Sequence, residues 1–481
     1  MFLKRFFEPT LAQASYLIGC AATRDAIVID ANRDVDQYIA AAEAEGARIT
    51  VVTETHIHAD YVSGSRELAA RTGAPLALSD EGGPDWRYGF AGDANVRRLK
   101  DGDRLDVGNV RIDVVHTPGH TPEHLTFLVT DGAAADEPMG AATGDFIFAG
   151  DVGRPDLLEK AANIRGTMEA GARQLWASLK AFERRPDWLQ LWPGHGAGSA
   201  CGKGIGAMPH TTLGYERRFN WAFRAKTEAE FVRGVLAGQP EPPTYFAEMK
   251  RVNRDGPPPL GGFRRPPRLD LDALARALAG GTVVVDARPA ADFAVAHVPG
   301  TINIPANAAF TTWAGWLLPY DADLLLIVDA RTGVLDDAVR DLAMIGLDRL
   351  AGWLDPKVVD AWAGAGKPLG SIPQITAADL RSSLEHGAVT LVDVRNQSEW
   401  DNGHIEGARH IGLGSLAGRV DEIPRDRSVV VQCASGARSS IGASLLAAHG
   451  LDRVINLAGG YNAWLAAGLP TVEPTAEPQK A

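Results

Sequence analysis

The densest group of potential metal ligands lies in the segment ETHIHADYVSG, residues 54–64. His56, His58 and Asp60 place two imidazoles and one carboxylate within five positions, directly after the apolar run ITVVT. Imidazole and carboxylate groups are common protein ligands of zinc and of non-haem iron. The segment therefore predicts a metal site at the end of a β-strand. The next residue, Tyr61, carries a neutral phenol, which is a poor ligand for a divalent ion.

Three further clusters of His and Asp follow: HTPGHTPEH (116–124), TGDFIFAGDVGRPD (143–156) and WPGHG (192–196). A single histidine is more often a core or surface residue than a ligand. Four clusters at strand ends or in loops instead favour ligands that converge from separate loops onto one cation. Strands that end in such loops are typical of layered α/β folds, in which sites lie at the strand ends.

This order of motifs resembles the metallo-β-lactamase superfamily, whose pattern is HxHxDH followed by a His, an Asp and a His. The resemblance covers residues 1 to about 250 and implies an αββα sandwich. In binuclear members such as glyoxalase II, the last His of the first motif helps to hold a second metal. Tyr61 stands at that position here, so the resemblance implies one metal and not two.

Within the superfamily the chain is most similar to the persulfide dioxygenases, a branch that implies one Fe(II) per chain. The ligands carried over by motif are His56, His120 and Asp145, two imidazoles and a carboxylate that leave open positions on the ion. The residues that the resemblance assigns to orienting ligands and waters are His58, Asp60, Tyr61 and His195. For His58, a direct role as a ligand stays open.

Two residues beside these motifs are candidates for contact with substrate or sulfur. Arg154, in GRPD (153–156), matches a stretch that follows the ligand Asp in persulfide dioxygenases. It would hold the site's architecture or an anionic substrate, and a structural ion pair with Asp156 is the alternative. Cys201 lies in a glycine-rich loop that can pass close to a site. We hypothesise that Cys201 lies near the metal and carries sulfur; a buried, inert thiol is the alternative.

A second kind of site is predicted by VVVQCASGARSS, residues 429–440. Cys433 ends an apolar strand and precedes a small-residue loop and a helix, whose N–H groups favour a thiolate. Four residues separate Cys433 from Arg438, one fewer than in protein tyrosine phosphatases. With DVR (393–395), this spacing resembles the active loop of rhodaneses, which carry sulfane sulfur as a Cys persulfide. The resemblance implies catalytic roles for Cys433 and Arg438 in a loop with Ala434, Ser435, Gly436, Ala437 and Ser439.

An internal repeat organises the second half of the chain. VVVDARPAADFAVAHVPGTINIP (283–305) parallels TLVDVRNQSEWDNGHIEGARHIG (390–412), and strands alternate with helical patterns in both copies. That alternation predicts a parallel α/β sheet in each. In the first copy Asp329 stands opposite Cys433. Because Asp cannot hold a sulfane sulfur, we expect this copy to be an inactive rhodanese-like module with a docking, spacer or oligomerisation role.

The predicted fold class is a multidomain α/β protein: an αββα metallo-β-lactamase sandwich followed by two rhodanese-like α/β domains with parallel sheets. The predicted segments are the dioxygenase domain (1–252), a Pro/Gly-rich linker (253–267), the inactive module (268–370), the active rhodanese (374–470) and a disordered tail (471–481). The net charge of −12 and the lack of a basic run argue against nucleic acid or an anionic membrane as partner. Three cysteines are too few for a disulfide framework and favour the cytoplasm.

The resemblances together imply a persulfide dioxygenase fused to a sulfurtransferase. Its substrates would be a low-molecular-weight thiol persulfide, such as that of glutathione or coenzyme A, and O₂. Sulfite from the first reaction would accept sulfur from Cys433 and yield thiosulfate. The expected partners are thus small molecules, with self-association into a homo-oligomer. Two alternatives stay open: a glyoxalase II-like zinc thioester hydrolase with sulfur-carrying rhodanese modules, and a non-catalytic sulfane-sulfur sensor or scaffold.

Overall fold

The computed structural model describes residues 1–157, 159, 166–331 and 333–473. Residues 474–481 of the predicted tail lie outside the described residues. The chain forms two compact units. The first comprises Met1–Phe263 with Ala343–Gly346, and the second comprises Arg264–Leu342 with the residues from Leu347 onward.

The first unit contains two six-stranded sheets. The first sheet follows chain order, with β1–β3 antiparallel and β3–β6 parallel. Its strands are β1 (Phe2–Glu8), β2 (Gln13–Gly19), β3 (Asp25–Ile29), β4 (Arg48–Thr53), β5 (Leu76–Ser79) and β6 (Val96–Leu99). Helices α1 (Asp36–Ala44) and α2 (Ser65–Thr72) follow β3 and β4, and a 3₁₀ turn covers Pro84–Trp86.

The second sheet has the order β12-β11-β10-β9-β8-β7. Its strands are β7 (Arg104–Val107), β8 (Val110–His116), β9 (Leu125–Asp131), β10 (Gly140–Gly144), β11 (Gln190–Pro193) and β12 (Thr211–Thr212). The helices that accompany it are α3 (Met168–Phe182), α4 (Leu213–Phe219), α5 (Trp221–Arg224), α6 (Glu228–Leu236) and α7 (Phe246–Asp255).

Alternating apolar side chains explain how the sheets face each other. In β8, Val110, Ile112 and Val114 are buried at every second position, so one face of the strand meets the core. They join side chains of the first sheet, among them Ile18 and Ile27, in one cluster. Separate clusters hold α1 and α2 against the first sheet and α3 and α6 against the second. The predicted αββα sandwich is confirmed.

The second unit contains two parallel sheets. The first, of order β14-β13-β15-β16, is built from β13 (Val283–Asp286), β14 (Ile302–Asn303), β15 (Leu324–Ile327) and β16 (Leu350–Leu354). Its helices are α8 (Leu271–Ala279), α9 (Ala290–Val295), α10 (Phe310–Leu317), α11 (Val334–Met344) and α12 (Val358–Gly364).

The second parallel sheet has the order β17-β21-β20-β18-β19. Its strands are β17 (Gln374–Ile375), β18 (Val389–Asp393), β19 (Arg409–His410), β20 (Ser428–Gln432) and β21 (Val454–Leu457). The helices are α13 (Ala377–Glu385), α14 (Gln397–Asp401), α15 (Leu413–Leu416), α16 (Ala437–Ala448) and α17 (Gly460–Ala466), with a 3₁₀ segment at Ala417–Glu422. The predicted parallel α/β sheets are confirmed in both copies of the repeat.

The predicted linker differs from the structure at its start. Helix α7 continues to Asp255, so residues 253–255 are helical, and the Pro/Gly-rich run that ends the helix begins only at Gly256. Asn253 is buried and holds the chain around the first motif. Its Nδ2 donates to the carbonyl oxygens of His58 and Tyr61, each at 2.7 Å, and its Oδ1 accepts from the backbone N–H of Ser63 at 2.8 Å.

Among the described residues, no helix combines the length and apolar character needed to cross a membrane.

Candidate metal centre and cysteine loop

Three side chains from different strand ends meet at one point of the first unit. His56 follows β4, His120 lies between β8 and β9, and Asp145 follows β10. Their ligand atoms all lie within 4.8 Å of one another. Asp145 Oδ2 is 3.5 Å from Nε2 of His120 and 4.0 Å from Nε2 of His56. All three are buried. The structure thus brings together the three residues that the sequence motifs single out as ligands.

Hydrogen bonds behind the two imidazoles fix which nitrogen faces this point. Nδ1 of His120 donates to the carbonyl oxygen of Arg154 at 3.0 Å, which leaves Nε2 with a free lone pair. Nδ1 of His56 is 3.0 Å from Oγ1 of Thr55, whose own proton goes to Asp30 Oδ2 at 2.9 Å. Burial lowers the pKa of both imidazoles, so both are neutral, as metal ligands must be.

Asp145 provides the test of whether these residues fit a cation. Burial alone would raise the pKa of this carboxyl, but the charge and hydrogen bond of His195 outweigh burial and lower it, so the group is ionised. Oδ1 contacts Nδ1 of His195 at 2.7 Å, whereas Oδ2 is buried and has no hydrogen-bond partner among the described residues. An ionised, buried oxygen beside two imidazole lone pairs matches the donor set of a divalent ion.

His195 connects this group to Asp60. Its Nε2 lies 2.7 Å from Oδ2 of Asp60, and its Nδ1 lies 2.7 Å from Asp145. Burial opposes the charged imidazolium, yet the two carboxylates raise the pKa of His195 well above 6.5. Cys201 completes a second group that could hold an ion, together with Asp60 and His195. The thiol is buried, and burial followed by the charges of Asp145 and Asp60 raises its pKa well above 9.

Tyr61 and His58 point to other partners. The hydroxyl of Tyr61 donates to the carbonyl oxygen of Asp30 at 3.3 Å, and burial raises its pKa well above 10, so the phenol stays neutral. Nε2 of His58 lies 3.1 Å from Oδ1 of Asp30, and its Nδ1 is buried with no hydrogen-bond partner in the part of the chain that the structure describes. Burial opposes the charged imidazolium, yet the charge and hydrogen bond of Asp30 raise the pKa of His58 to about 9. Nδ1 therefore carries a proton, and His58 would act as a further ligand only after losing it.

Arg154 is engaged in an ion pair. Its fully buried guanidinium donates from Nε and Nη2 to the two carboxylate oxygens of Asp156, each at 2.7 Å, and from Nη1 to the carbonyl oxygen of Ala200 at 3.0 Å. The same residue's carbonyl orients His120. These contacts favour the architectural role over direct contact with an anionic substrate, because a two-point carboxylate pair occupies one edge of the guanidinium.

Residues outside the predicted set also position the ligands. Asp30 directly follows β3 and has a φ of 57°, a strained conformation for a non-glycine residue. Its Oδ1 accepts from the backbone N–H of Thr55 at 2.6 Å. Nε2 of His124 accepts from the backbone N–H of Asp145 at 3.2 Å. The sequence contains a signal for both residues: His124 is part of the motif HTPGHTPEH, and Asp30 is a carboxylate at a strand end. Asn253 had no signal in the sequence.

In the second unit, Cys433 sits between β20 and α16. The backbone N–H of Gly436 donates to Sγ of Cys433 at 3.2 Å, and Oγ of Ser439 lies 3.5 Å from it. Gly436 has a φ of 97°, which a side chain would disfavour, and it lets the loop turn back over the sulfur. The N–H of Tyr461 donates to the carbonyl oxygen of Cys433 at 2.7 Å. These contacts place the small-residue loop around the cysteine sulfur.

Arg438 lies in the first turn of α16 and pairs with Glu399 through two contacts of 2.6 Å. In the first copy, Asp329 follows β15 as Cys433 follows β20. Its carboxylate pairs with Arg331 at 2.7 Å, and this hydrogen bonding lowers its pKa to about 2. The first copy thus has a permanent anion where the second has a thiol.

Residues 9–195 match the family model of the metallo-beta-lactamase superfamily, and residues 376–467 match that of the rhodanese-like domain. A crystal structure of a metallo-beta-lactamase from Staphylococcus aureus is 41% identical, with a TM-score of 0.66, and the match covers 74% of this chain and 99% of that one. A hydroxyacylglutathione hydrolase of Rhodospirillum rubrum is 30% identical over 50% of this chain and 80% of its own length. A sulfurtransferase of Allochromatium vinosum is 44% identical over 18% of this chain and 80% of its own length.

Proposed function

The chain belongs to the metallo-beta-lactamase superfamily and carries a C-terminal rhodanese-like domain, and we propose that it is an iron-dependent persulfide dioxygenase coupled to a sulfurtransferase. The overall first reaction is R–S–SH + O₂ + H₂O → R–SH + SO₃²⁻ + 2 H⁺. In the second, Cys433 carries a sulfane sulfur to sulfite and yields thiosulfate. A cytoplasmic location is part of the proposal, because the three free cysteines stay reduced there.

The observation that carries the proposal is Oδ2 of Asp145, which has no hydrogen-bond partner in the described part of the chain and lies 4.0 Å from Nε2 of His56 and 3.5 Å from Nε2 of His120. Two imidazoles and one carboxylate are the donor set of non-haem Fe(II) oxygenases. Iron, when bound there, supplies the redox chemistry that a reaction with O₂ needs and that Zn²⁺ lacks. One ion per chain is preferred, because both nitrogens of His195 already contact carboxylates and the phenol of Tyr61 is turned to Asp30.

The chain's own residues supply orientation and charge. The carbonyl of Arg154 and the Asp30–Thr55 pair keep protons on the Nδ1 atoms of the two ligand imidazoles. His195 holds a proton between Asp60 and Asp145 and offsets the negative charge of this buried region. Cys201 lies beside the same carboxylates, and a sulfur-carrying role for it remains part of the proposal.

The cysteine loop supports the second reaction. The N–H of Gly436 and the guanidinium of Arg438 place partial and full positive charge around a sulfur that must carry negative charge as a persulfide. Because both reactions occur on one chain, sulfite forms at a raised local concentration relative to Cys433. Self-association into a homo-oligomer completes the proposal. The molar mass of the protein, measured by light scattering after size-exclusion chromatography, tests it.

The decisive experiment is metal analysis and oxygen uptake on protein purified without oxygen and supplied with glutathione persulfide. We expect about one iron per chain, oxygen consumption, and sulfite or thiosulfate as product. Zinc at the site with no oxygen uptake would refute the dioxygenase. Oxygen uptake also excludes a sensor or scaffold without catalytic activity.

A zinc thioester hydrolase is the second candidate. The group formed by Asp60, His195 and Cys201 favours it, because the ligand atoms of these residues lie close enough together for a second ion that displaces the proton of His195. The similarity to a hydroxyacylglutathione hydrolase points the same way. Hydrolysis of S-lactoylglutathione with two zinc ions per chain would establish this function in place of the first.

A further inference from the structure

A cavity of about 610 Å³ lies in the second unit, at the module that lacks the cysteine. Its walls come from the loops that follow β13, β14, β15 and β16, so every strand of this sheet contributes at its carboxyl end. This edge is where parallel α/β sheets bind ligands. Asp329, the counterpart of Cys433, lines the cavity.

The remaining wall is the first turn of the helix that follows Cys433. Ala437, Arg438 and Ile441 of α16 line the cavity opposite the inactive module. The two copies of the repeat contact each other directly here. Helix α16 packs against β14, and the backbone N–H of Asn303 donates to Oγ of Ser444 at 2.9 Å. The inactive module therefore lines one side of a space that borders the catalytic loop.

The lining selects for a particular chemistry. Most of it is apolar, with Trp313 as the largest side chain, and two cations (Arg288 and Arg438) and two anions (Asp292 and Asp329) line the same space. Volumes of roughly 300–1,000 Å³ suit organic molecules of moderate size. Thiosulfate would leave most of the cavity empty, and both arginines already pair with carboxylates, Arg288 with Asp286 and Arg438 with Glu399. A zwitterionic molecule with carbon chains would match both the walls and the charges.

We propose that this cavity binds the organic part of a zwitterionic low-molecular-weight thiol persulfide of about glutathione size and presents its sulfur to Cys433. The inference rests on the proposed sulfurtransferase function. It gives the inactive module a role in substrate binding.

The transfer step balances without a further reactant: Cys433–S⁻ + R–S–SH → Cys433–S–S⁻ + R–SH. The Sγ of Cys433 bonds to the terminal sulfur, the S–S bond of the donor breaks, and the departing thiolate takes the donor's proton. The sulfane sulfur changes carrier, and no external oxidant is consumed.

The test compares two donors on the full chain without oxygen, so that no donor is lost to oxidation. Thiocyanate formed from cyanide is measured with glutathione persulfide or with thiosulfate, and Cys433→Ser supplies the blank. We expect Ala306→Trp, which fills the cavity, to raise the KM for glutathione persulfide about tenfold and to change that for thiosulfate by less than about twofold. If Ala306→Trp does not fold, Trp313→Ala, which removes the aromatic wall, tests the same difference between the KM values for the two donors.

Ala363→Trp, exposed on α12 and away from the cavity lining, is the matched control and should change neither KM. S-methylglutathione, which has no sulfur to transfer, should bind to one site fewer in Ala306→Trp than in wild type by calorimetry, because the metal centre of the first unit is unchanged in the variant. Equal changes for both donors, or an unchanged KM for glutathione persulfide, would overturn the proposal. If the wild-type protein takes up no oxygen, only the dioxygenase proposal is refuted. The anaerobic thiocyanate assay is independent of it, because this assay measures only sulfur transfer by Cys433.

Discussion

Arg154 and Asp156 form a buried two-point ion pair, with Nε and Nη2 each 2.7 Å from a carboxylate oxygen. The pair holds the loop whose carbonyl oxygen orients His120. Removing one partner of such a buried pair leaves a charge in a low-dielectric environment. We expect Arg154→Met to lower the free energy of unfolding by about 3–5 kcal/mol, measured by urea titration of the metal-free protein.

Arg251→Met is the matched control, because Arg251 forms an exposed pair with Glu248. We expect a loss of less than about 1 kcal/mol there. A similar loss in both variants would contradict the architectural role of Arg154.

Asp145→Asn should empty the metal centre. The substitution removes the negative charge of the oxygen that has no hydrogen-bond partner, and the amide is a weaker ligand. We expect the iron content and the oxygen uptake to fall at least about tenfold, measured by mass spectrometry of the metal and with an oxygen electrode. Asp136→Asn, an exposed control, should change neither. Retention of iron by Asp145→Asn would show that other residues hold the ion.

Cys433→Ser should separate the two reactions. Serine cannot carry a persulfide, whereas the residues of the metal centre are untouched. With glutathione persulfide and O₂ we expect sulfite in place of thiosulfate, and oxygen uptake within about twofold of wild type. Ion chromatography of the products checks this. Thiosulfate formed by Cys433→Ser would mean that another group, such as Cys201, transfers the sulfur.

Cys201→Ser tests the buried thiol beside the metal centre. If Cys201 carries sulfur, the variant should keep its iron but lose the persulfide label on the peptide that contains residue 201, with oxygen uptake reduced at least about tenfold. Cys20→Ser is the cysteine control, since Cys20 lies in the core between the sheets. Unchanged turnover and labelling in Cys201→Ser would leave Cys201 as an inert thiol.

Glu399→Gln should reveal a pH-dependent contribution to stability. Burial by itself would raise the pKa of Glu399, but hydrogen bonds from Arg438 outweigh it and hold the pKa below 4.5. A depressed acid stabilises the fold above its unfolded pKa and loses this effect as the pH falls through its folded pKa. For a half-exposed pair we expect a difference of about 0.5–1 kcal/mol at pH 7 that shrinks below pH 4.5, seen in urea titrations. A pH-independent difference would contradict this assignment.

The sequence by itself determined the fold class and the chemical types at both sites. Alternating apolar residues in strands such as β8, and apolar runs such as LLLI in β15 and VVV in β20, are local signals, so they predicted sheets without long-range information. The loop around Cys433 was equally readable, because its residues are contiguous and the turn depends on a glycine at Gly436.

Only the tertiary structure decided which atoms face each other. Asp30, which lies 25 residues before Thr55, orients two imidazoles, and Asn253 holds the first motif from about 190 residues away, so the spacing of the residues does not indicate either contact. The partner of Arg154 and the closeness of Cys201 to Asp60 also depend on where loops return. The cavity beside Arg438 depends on the packing of two modules, because its lining comes from segments that are distant in sequence. Such contacts depend on how the sheets and loops pack together. The sequence motifs identify only the types of residue that this packing brings into contact.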